Sequence, residues 1–174
     1  MTAFDRTAAT ETIRAQIAYG ASQIGRFEAM LLLGHAIGRP REFLIAHDDE
    51  ESILRYHMLL SLRSAGTPIP YITGRQEFYG RHFEVNDAVL IPRPDTEVLV
   101  EQALLVAPLN PTVLDLGTGS GCIALTLAAE CPCWKGMAVD ISEKALDMAR
   151  INAKALNAAD RVNFLHADFT AADF

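Results

Sequence analysis

Little in this sequence invites a disulfide, a metal or a membrane. Its 174 residues hold three cysteines, Cys122, Cys131 and Cys133. An odd number of thiols without a secretory leader argues against a disulfide framework. Cys131-Pro132-Cys133 resembles half a zinc site, but zinc takes about four ligands, and no cluster of His or Cys supplies the rest. No apolar run approaches the roughly 20 residues that span a bilayer. Met1-Thr2-Ala3-Phe4-Asp5 puts no basic patch ahead of an apolar core, so a secretory signal is not expected either. A cytoplasmic protein without membrane partners is the expectation. Basic charge is also short: 15 Lys and Arg face 22 Asp and Glu, a net −7. Proteins that grip a phosphate backbone show a basic face, so the balance points to a protein or small-molecule partner, with no direct nucleic acid. Repeats and low-complexity tracts are absent. With half its residues hydrophobic and 21% charged, the composition is that of a globular chain.

Three segments follow one another. Residues 1–66 read as a small helical bundle. Phe27, Leu31 and Gly34 recur at helical spacing, as do Met30, Leu33 and Ile37, and core packing accounts for both stripes. Gly38-Arg39-Pro40 stops that helix, Arg41 to Ala46 forms a short helical turn, and Asp48 to Glu51 places acids where a helix N-terminus favours them. Ile53, Tyr56 and Leu60 give the next helix its apolar stripe. Residues 67–92 read as a β-hairpin linker. Its β character runs from Tyr71 to about Leu90, with Tyr79, Phe83 and Val85 on one parity and Gly74 and Gly80 as punctuation. Residues 93–174 alternate helix and strand. Asp95 or Thr96 can cap a helix that Asn110-Pro111 ends. Strands are expected at Thr112–Leu116, Gly136–Asp140 and Val162–His166, with helices over Cys122–Ala129 and after the cap residue Ser142. The fold class is α/β, the start of a doubly wound parallel sheet. Its first strand should lie at an edge, because no fourth strand follows to cover it.

Asp115-Leu116-Gly117-Thr118-Gly119-Ser120-Gly121 joins the first of these strands to its helix. Glycines there allow a sharp turn and let a ligand approach the backbone. A glycine loop alone fits NAD, FAD and other nucleoside ligands. Two details sharpen it: the spacing is G-x-G-x-G, and Asp115 stands at the loop's mouth. A carboxylate there repels a pyrophosphate on the helix N-terminus but suits S-adenosyl-L-methionine, whose ammonium and sulfonium are cationic. Asp140, ending the second strand, can accept hydrogen bonds from ribose hydroxyls, a role shared by NAD and S-adenosylmethionine sites. Asp168 follows the third strand, where it could meet an adenine amino group, with Phe169 packing on the ring. Helix capping or solvation is the alternative for Asp140 and Asp168, and their places at strand ends favour the ligand reading.

These residues resemble a known family. Leu114 to Leu125 looks like the cofactor loop of the glutamine methyltransferases that act on peptide chain release factors, the HemK/PrmC family. Val89-Leu90-Ile91-Pro92-Arg93-Pro94-Asp95-Thr96-Glu97 is similar to the block preceding that family's catalytic domain, and Pro70-Tyr71-Ile72, Gly74, Phe78 and Gly80 match its hairpin. A sister family that methylates a ribosomal protein reads proline-arginine-serine-proline in that block, so Pro92-Arg93-Pro94-Asp95 favours the release-factor type. The resemblance implies a helical substrate-docking domain, a hairpin linker and the first part of a Rossmann-like methyltransferase domain. It also implies that Gly117 to Gly121 wrap the methionine end of S-adenosylmethionine, Asp140 holds the ribose, Asp168 and Phe169 meet the adenine, and Arg93 and Pro94 lie on the substrate side. The family's Asn-Pro-Pro-Tyr motif, which holds the substrate amide, does not occur, and only Phe169 to Phe174 follow Asp168. The sequence therefore reads as an N-terminal portion. By itself it is also describable as a non-catalytic cofactor-binding module. Asp115 and the G-x-G-x-G spacing count against an NAD-dependent oxidoreductase. The acidic balance and the Pro92–Glu97 block count against a nucleic-acid methyltransferase.

Overall fold

The computed structural model describes residues 11–52 and 56–171. The chain divides into two compact units, one ending at Thr73 and the other beginning at Gly74.

The first unit is helical. A short strand, β1 (Glu11–Thr12), leads into α1 (Ile13–Ile24), and Thr12 caps it by accepting the Ala15 N–H at 3.2 Å. Gly25, at φ 85°, breaks the chain before α2 (Arg26–Ile37). Gly38, left-handed at φ 67°, ends α2 by returning its N–H to the last turn. Helix α3 (Arg41–Ala46) and strand β2 (Glu51–Ser52) follow, and β2 pairs antiparallel with β1. Helices α4 (Tyr56–Ser64) and α5 (Ile69–Thr73) complete the unit. Ile13, Ile17, Met30, Leu32, Leu33, Leu44, Tyr56 and Leu60 form its core.

Three details differ from the sequence reading. Of the two stripes on α2, the one through Met30 and Leu33 carries the core; in the other Gly34 is buried, but Phe27 and Leu31 are 57% and 37% exposed. The Arg41 guanidinium lies over the Phe27 ring at 5.0 Å. The acids at Asp48 and Asp49 do not open a helix; they bind the Arg14 guanidinium at 2.8 and 3.0 Å. Tyr71 to Thr73 is helical rather than extended, because prolines at 68 and 70 fit a helix's first turn, where their missing N–H costs nothing. Ile53 lies outside the described residues.

The second unit opens with a hairpin, β3 (Arg75–Phe78) and β4 (Arg81–Glu84). Tyr79 and Gly80 turn it at φ 53° and 70°, the double positive φ that suits a two-residue hairpin. Tyr79 is thus a turn residue, and Phe78 takes its place beside Phe83; both are fully buried, their rings edge-on at 6.0 Å. Strand structure stops at Glu84, six residues short of Leu90. Helix α6 (Asp95–Val106) starts without a side-chain cap: Pro94 holds the cap position, and Asp95 and Thr96 lie within the first turn. It ends at Val106, not Asn110, because Ala107 precedes Pro108 and is extended at ψ 136°.

Parallel strands β5 (Thr112–Leu116), β6 (Lys135–Asp140) and β7 (Val162–His166) then alternate with α7 (Cys122–Glu130) and α8 (Glu143–Ala155). Their order, β5-β6-β7, puts β5 at an edge among the described residues. Strand rows containing Val113, Ala138, Val162 and Phe164 pack against α7 and α8. Leu114, Leu116, Met137 and Leu165 belong to the opposite face and stay partly exposed. Ser142 caps α8 by accepting the Ala145 N–H at 3.3 Å. No helix among the described residues is long and apolar enough to cross a membrane.

A tight contact in the helical unit joins α1 to α4. The buried Tyr56 hydroxyl donates to the Ala29 carbonyl at 2.8 Å, and a Cβ on Gly20 would lie 2.1 Å from that hydroxyl oxygen. Gly20→Ala should therefore cost about 2–3 kcal/mol by overpacking, and Tyr56→Phe about 1 kcal/mol through the lost hydrogen bond. In urea unfolding the double variant should lose less than the two costs added, since removing the hydroxyl relieves part of the clash. Simple additivity would contradict this.

Candidate functional site

At the end of β5 the chain turns back through a loop that only glycine accommodates. Gly117, Gly119 and Gly121 have φ of 75°, 55° and 79°, where a Cβ is strained. They do two different jobs. A Cβ on Gly121 would lie 2.8 Å from Leu125 Cδ1 and 3.2 Å from Ala149 Cβ, so this glycine lets α7 and α8 close together. Cβ atoms on Gly117 or Gly119 would meet nothing within 4 Å. Their bare backbone borders open space.

The loop is sewn to β6. The N–H groups of Gly117 and Thr118 donate to the Val139 carbonyl at 2.8 and 3.0 Å, and the Gly121 N–H donates to the Thr118 carbonyl at 2.9 Å. Two carboxylates flank it. Asp115 Oδ2 accepts the buried Thr118 hydroxyl at 2.7 Å and the Ala124 N–H at 3.3 Å. Asp140 Oδ2 accepts the Gly119 N–H, and its Oδ1 accepts the Ser142 N–H, both at 2.9 Å. Each carboxylate oxygen has two lone pairs, so both Asp140 oxygens can still accept from a ligand hydroxyl.

Burial pushes the Asp115 carboxyl above the usual carboxylate range; the Thr118 hydroxyl and Ala124 N–H oppose the rise, and the Asp140 charge adds to it. An anion entering here would meet two acids, while a cation would relieve the cost of ionising Asp115. Burial also pushes the neighbouring Cys122 thiol up to about 11, which keeps it protonated and unreactive near neutrality. No group of three or more His, Cys, Asp or Glu among the described residues is placed to hold a metal.

The structure thus brings Asp115, Gly117, Thr118, Gly119, Ser120, Gly121 and Asp140 into one hydrogen-bonded group. The remaining candidates stand outside that network. Asp168 Oδ1 accepts the Thr170 hydroxyl and N–H at 2.6 and 2.9 Å, bonds that hold its carboxyl below the usual range. Phe169 is exposed beside it, and Arg93 and Pro94 are exposed ahead of α6. Two further residues outside the glycine loop organise the site. Glu97 accepts the Tyr79 N–H at 2.9 Å, so the Pro92–Glu97 block holds the hairpin turn. Asn152, on the buried stripe of α8, bonds both the hairpin and the glycine loop. Its signal was a polar residue at a position where the spacing of Ala149, Ala153 and Leu156 demands an apolar one.

Two family models match the chain: the PrmC N-terminal domain over residues 10–74 and a methyltransferase domain over residues 113–174. A release factor glutamine methyltransferase of Koribacter versatilis is 47% identical over 153 residues, covering 84% of this chain and 54% of that protein. One of Moorella thermoacetica is 44% identical over 174 residues, covering 95% of this chain and 60% of that protein. The chain therefore spans little more than half the length of these relatives. A solved S-adenosylmethionine-dependent methyltransferase from Geobacter sulfurreducens, in complex with S-adenosyl-L-homocysteine, is similar over 44% of this chain and 30% of that one, at 36% identity and a TM-score of 0.38.

The two kinds of glycine should part company on substitution. Gly121→Ala should cost about 3 kcal/mol or more, from left-handed strain plus overpacking. Gly119→Ala should cost only the strain, about 1–2 kcal/mol. Denaturant unfolding of the two variants checks the order; equal losses would contradict it.

Proposed function

This chain belongs to the release factor glutamine methyltransferase family, and from that premise we propose that the protein uses S-adenosyl-L-methionine to methylate the side-chain amide nitrogen of the glutamine in the Gly-Gly-Gln motif of a peptide chain release factor. The observation that carries the cofactor part of this reading is the bare backbone of Gly117 and Gly119, which borders open space on a loop bonded to both Asp115 and Asp140. A cationic ligand without phosphate suits that cradle, and a pyrophosphate does not.

When bound, S-adenosylmethionine supplies a methyl group on a cationic sulfur: the glutamine nitrogen gains it as the carbon–sulfur bond breaks, sulfur leaves as a thioether, and the nitrogen loses a proton. This chain's residues bind and orient. Gly117 to Gly121 would hold the methionine end, with the Asp115 charge favouring its ammonium. Asp140 would accept from the ribose hydroxyls through its remaining lone pairs. Asp168 and Phe169 would meet the adenine, and Arg93 and Pro94 would lie on the substrate side. An amide nitrogen is a poor nucleophile, so acceptors that hold it in line with the methyl group contribute through positioning. In the family that falls to the Asn-Pro-Pro-Tyr motif, which residues 1–174 do not contain. By themselves these residues are therefore a cofactor-binding module, and no methyl transfer to a release factor is expected from them.

Titration calorimetry should show binding of S-adenosylhomocysteine and none of NAD; the reverse would overturn the reading. Asp115→Asn separates binding from folding. Asparagine can still accept from Thr118 and Ala124, but it carries no desolvated charge. The variant should melt higher than the wild type, because the desolvated charge is gone, while losing at least tenfold in affinity. The sign with pH follows. Because the Asp115 carboxyl is raised, the stability it contributes is fully present below the ordinary aspartate range, about pH 4, and is lost as pH rises through the raised value. Cation affinity runs the other way, falling as the carboxylate takes its proton on acidification. A wild-type pH dependence of affinity that persists unchanged in Asp115→Asn would contradict this assignment.

A further inference from the structure

Asn152 is 1% exposed and lies in the last turn of α8. Both ends of its side-chain amide are engaged. Oδ1 accepts the Glu84 N–H at 2.7 Å, while Nδ2 donates to the Glu84 carbonyl at 3.0 Å and to the Ser120 carbonyl at 2.9 Å. The amide has two donor hydrogens, and both are spent. On one side it acts as a further strand would, matching both backbone groups of the last residue of β4. On the other it grips the peptide between Ser120 and Gly121. The nitrogen of that same peptide donates to the Thr118 carbonyl, closing the turn that carries Gly119. With both of its ends bonded, the peptide plane cannot rotate without breaking a buried hydrogen bond, which costs more than an exposed one.

We propose that Asn152 is a positioning residue for the cofactor loop: by fixing the Ser120 peptide against the hairpin, it holds the Gly117 and Gly119 backbone in the shape that receives the ligand. The proposal rests on the cofactor reading above, and it assigns to an α8 residue remote from the glycine motif a share of the ligand affinity. Asn152 need not touch the ligand. It acts through the orientation of the Ser120–Gly121 peptide.

Asn152→Asp is the direct test. The carboxylate keeps the shape and the acceptor for the Glu84 N–H, but it has no hydrogen for either carbonyl and turns lone pairs toward both. A purely structural residue would lower affinity only as far as it lowers stability. Phe83→Leu provides that control, since it loosens the same hairpin through a buried ring with no hydrogen bond to the loop. With both variants folded by circular dichroism, Asn152→Asp should bind S-adenosylhomocysteine at least tenfold more weakly than Phe83→Leu. Equal affinities would overturn the proposal. Should Asn152→Asp fail to fold, the wild-type chain decides. Adding S-adenosylhomocysteine should shift the Asn152 side-chain amide resonances and slow hydrogen exchange at the Glu84 N–H, and no change at either would overturn the proposal. A wild-type chain that binds no S-adenosylhomocysteine would instead overturn the cofactor reading itself, a distinguishable failure.

Discussion

The loop after β5 must adopt left-handed backbone at alternate residues, 117, 119 and 121, and much of the second unit is arranged to hold it there. No helix or strand ladder stabilises such a path, so its polar groups have to be satisfied one by one. Val139 takes two loop N–H groups, Asp140 takes a third, and the Thr118 carbonyl takes a fourth. Asp115 anchors the Thr118 hydroxyl and the first turn of α7. The desolvated charge of Asp115 by itself opposes folding. Sites that bind charged ligands commonly hold such groups, because the ligand offsets the cost on arrival.

The hairpin belongs to this arrangement. Phe78 and Phe83 join the core that also contains Leu125, Ala138 and Val162. Glu97 fastens its turn and Asn152 fastens its last residue. The blocks that carried the family resemblance, around Pro70–Gly80, Pro92–Glu97 and Leu114–Leu125, are far apart in sequence. Glu97 bonds the hairpin turn directly, while Asn152, outside all three blocks, bridges the last hairpin residue to Ser120 in the glycine loop.

Much of the α/β half was legible because its signals are local. The glycine loop, the Ser142 cap and the apolar runs at Thr112–Leu116 and Val162–His166 each specify an element without help from distant residues. The sequence misleads where two signals compete. On α2 two overlapping stripes both have helical spacing, and only tertiary packing chooses Met30 and Leu33 over Phe27 and Leu31. In the hairpin, a two-residue turn at Tyr79 and Gly80 shifts the parity that alternation alone extends through Tyr79. Asn110-Pro111 offers a stop for α6, but Pro108 acts first on the residue before it. Within the candidate site, Asp115, the glycines and Asp140 can be grouped from strand ends and spacing. Asn152 shows in the sequence only as a polar residue on an apolar stripe; its partners are backbone atoms, so nothing there joins it to the site.

If the cradle between Asp115 and Asp140 receives the cofactor along the bare edge of Gly117 and Gly119, a crystal of the protein soaked with S-adenosyl-L-homocysteine will reveal it. Ligand density is expected along those two glycines, with the ribose hydroxyls within hydrogen-bond distance of Asp140 and the ammonium on the Asp115 side of the loop. Density elsewhere on the chain, with this loop bare and Asp140 bonded only to Gly119 and Ser142, would contradict it.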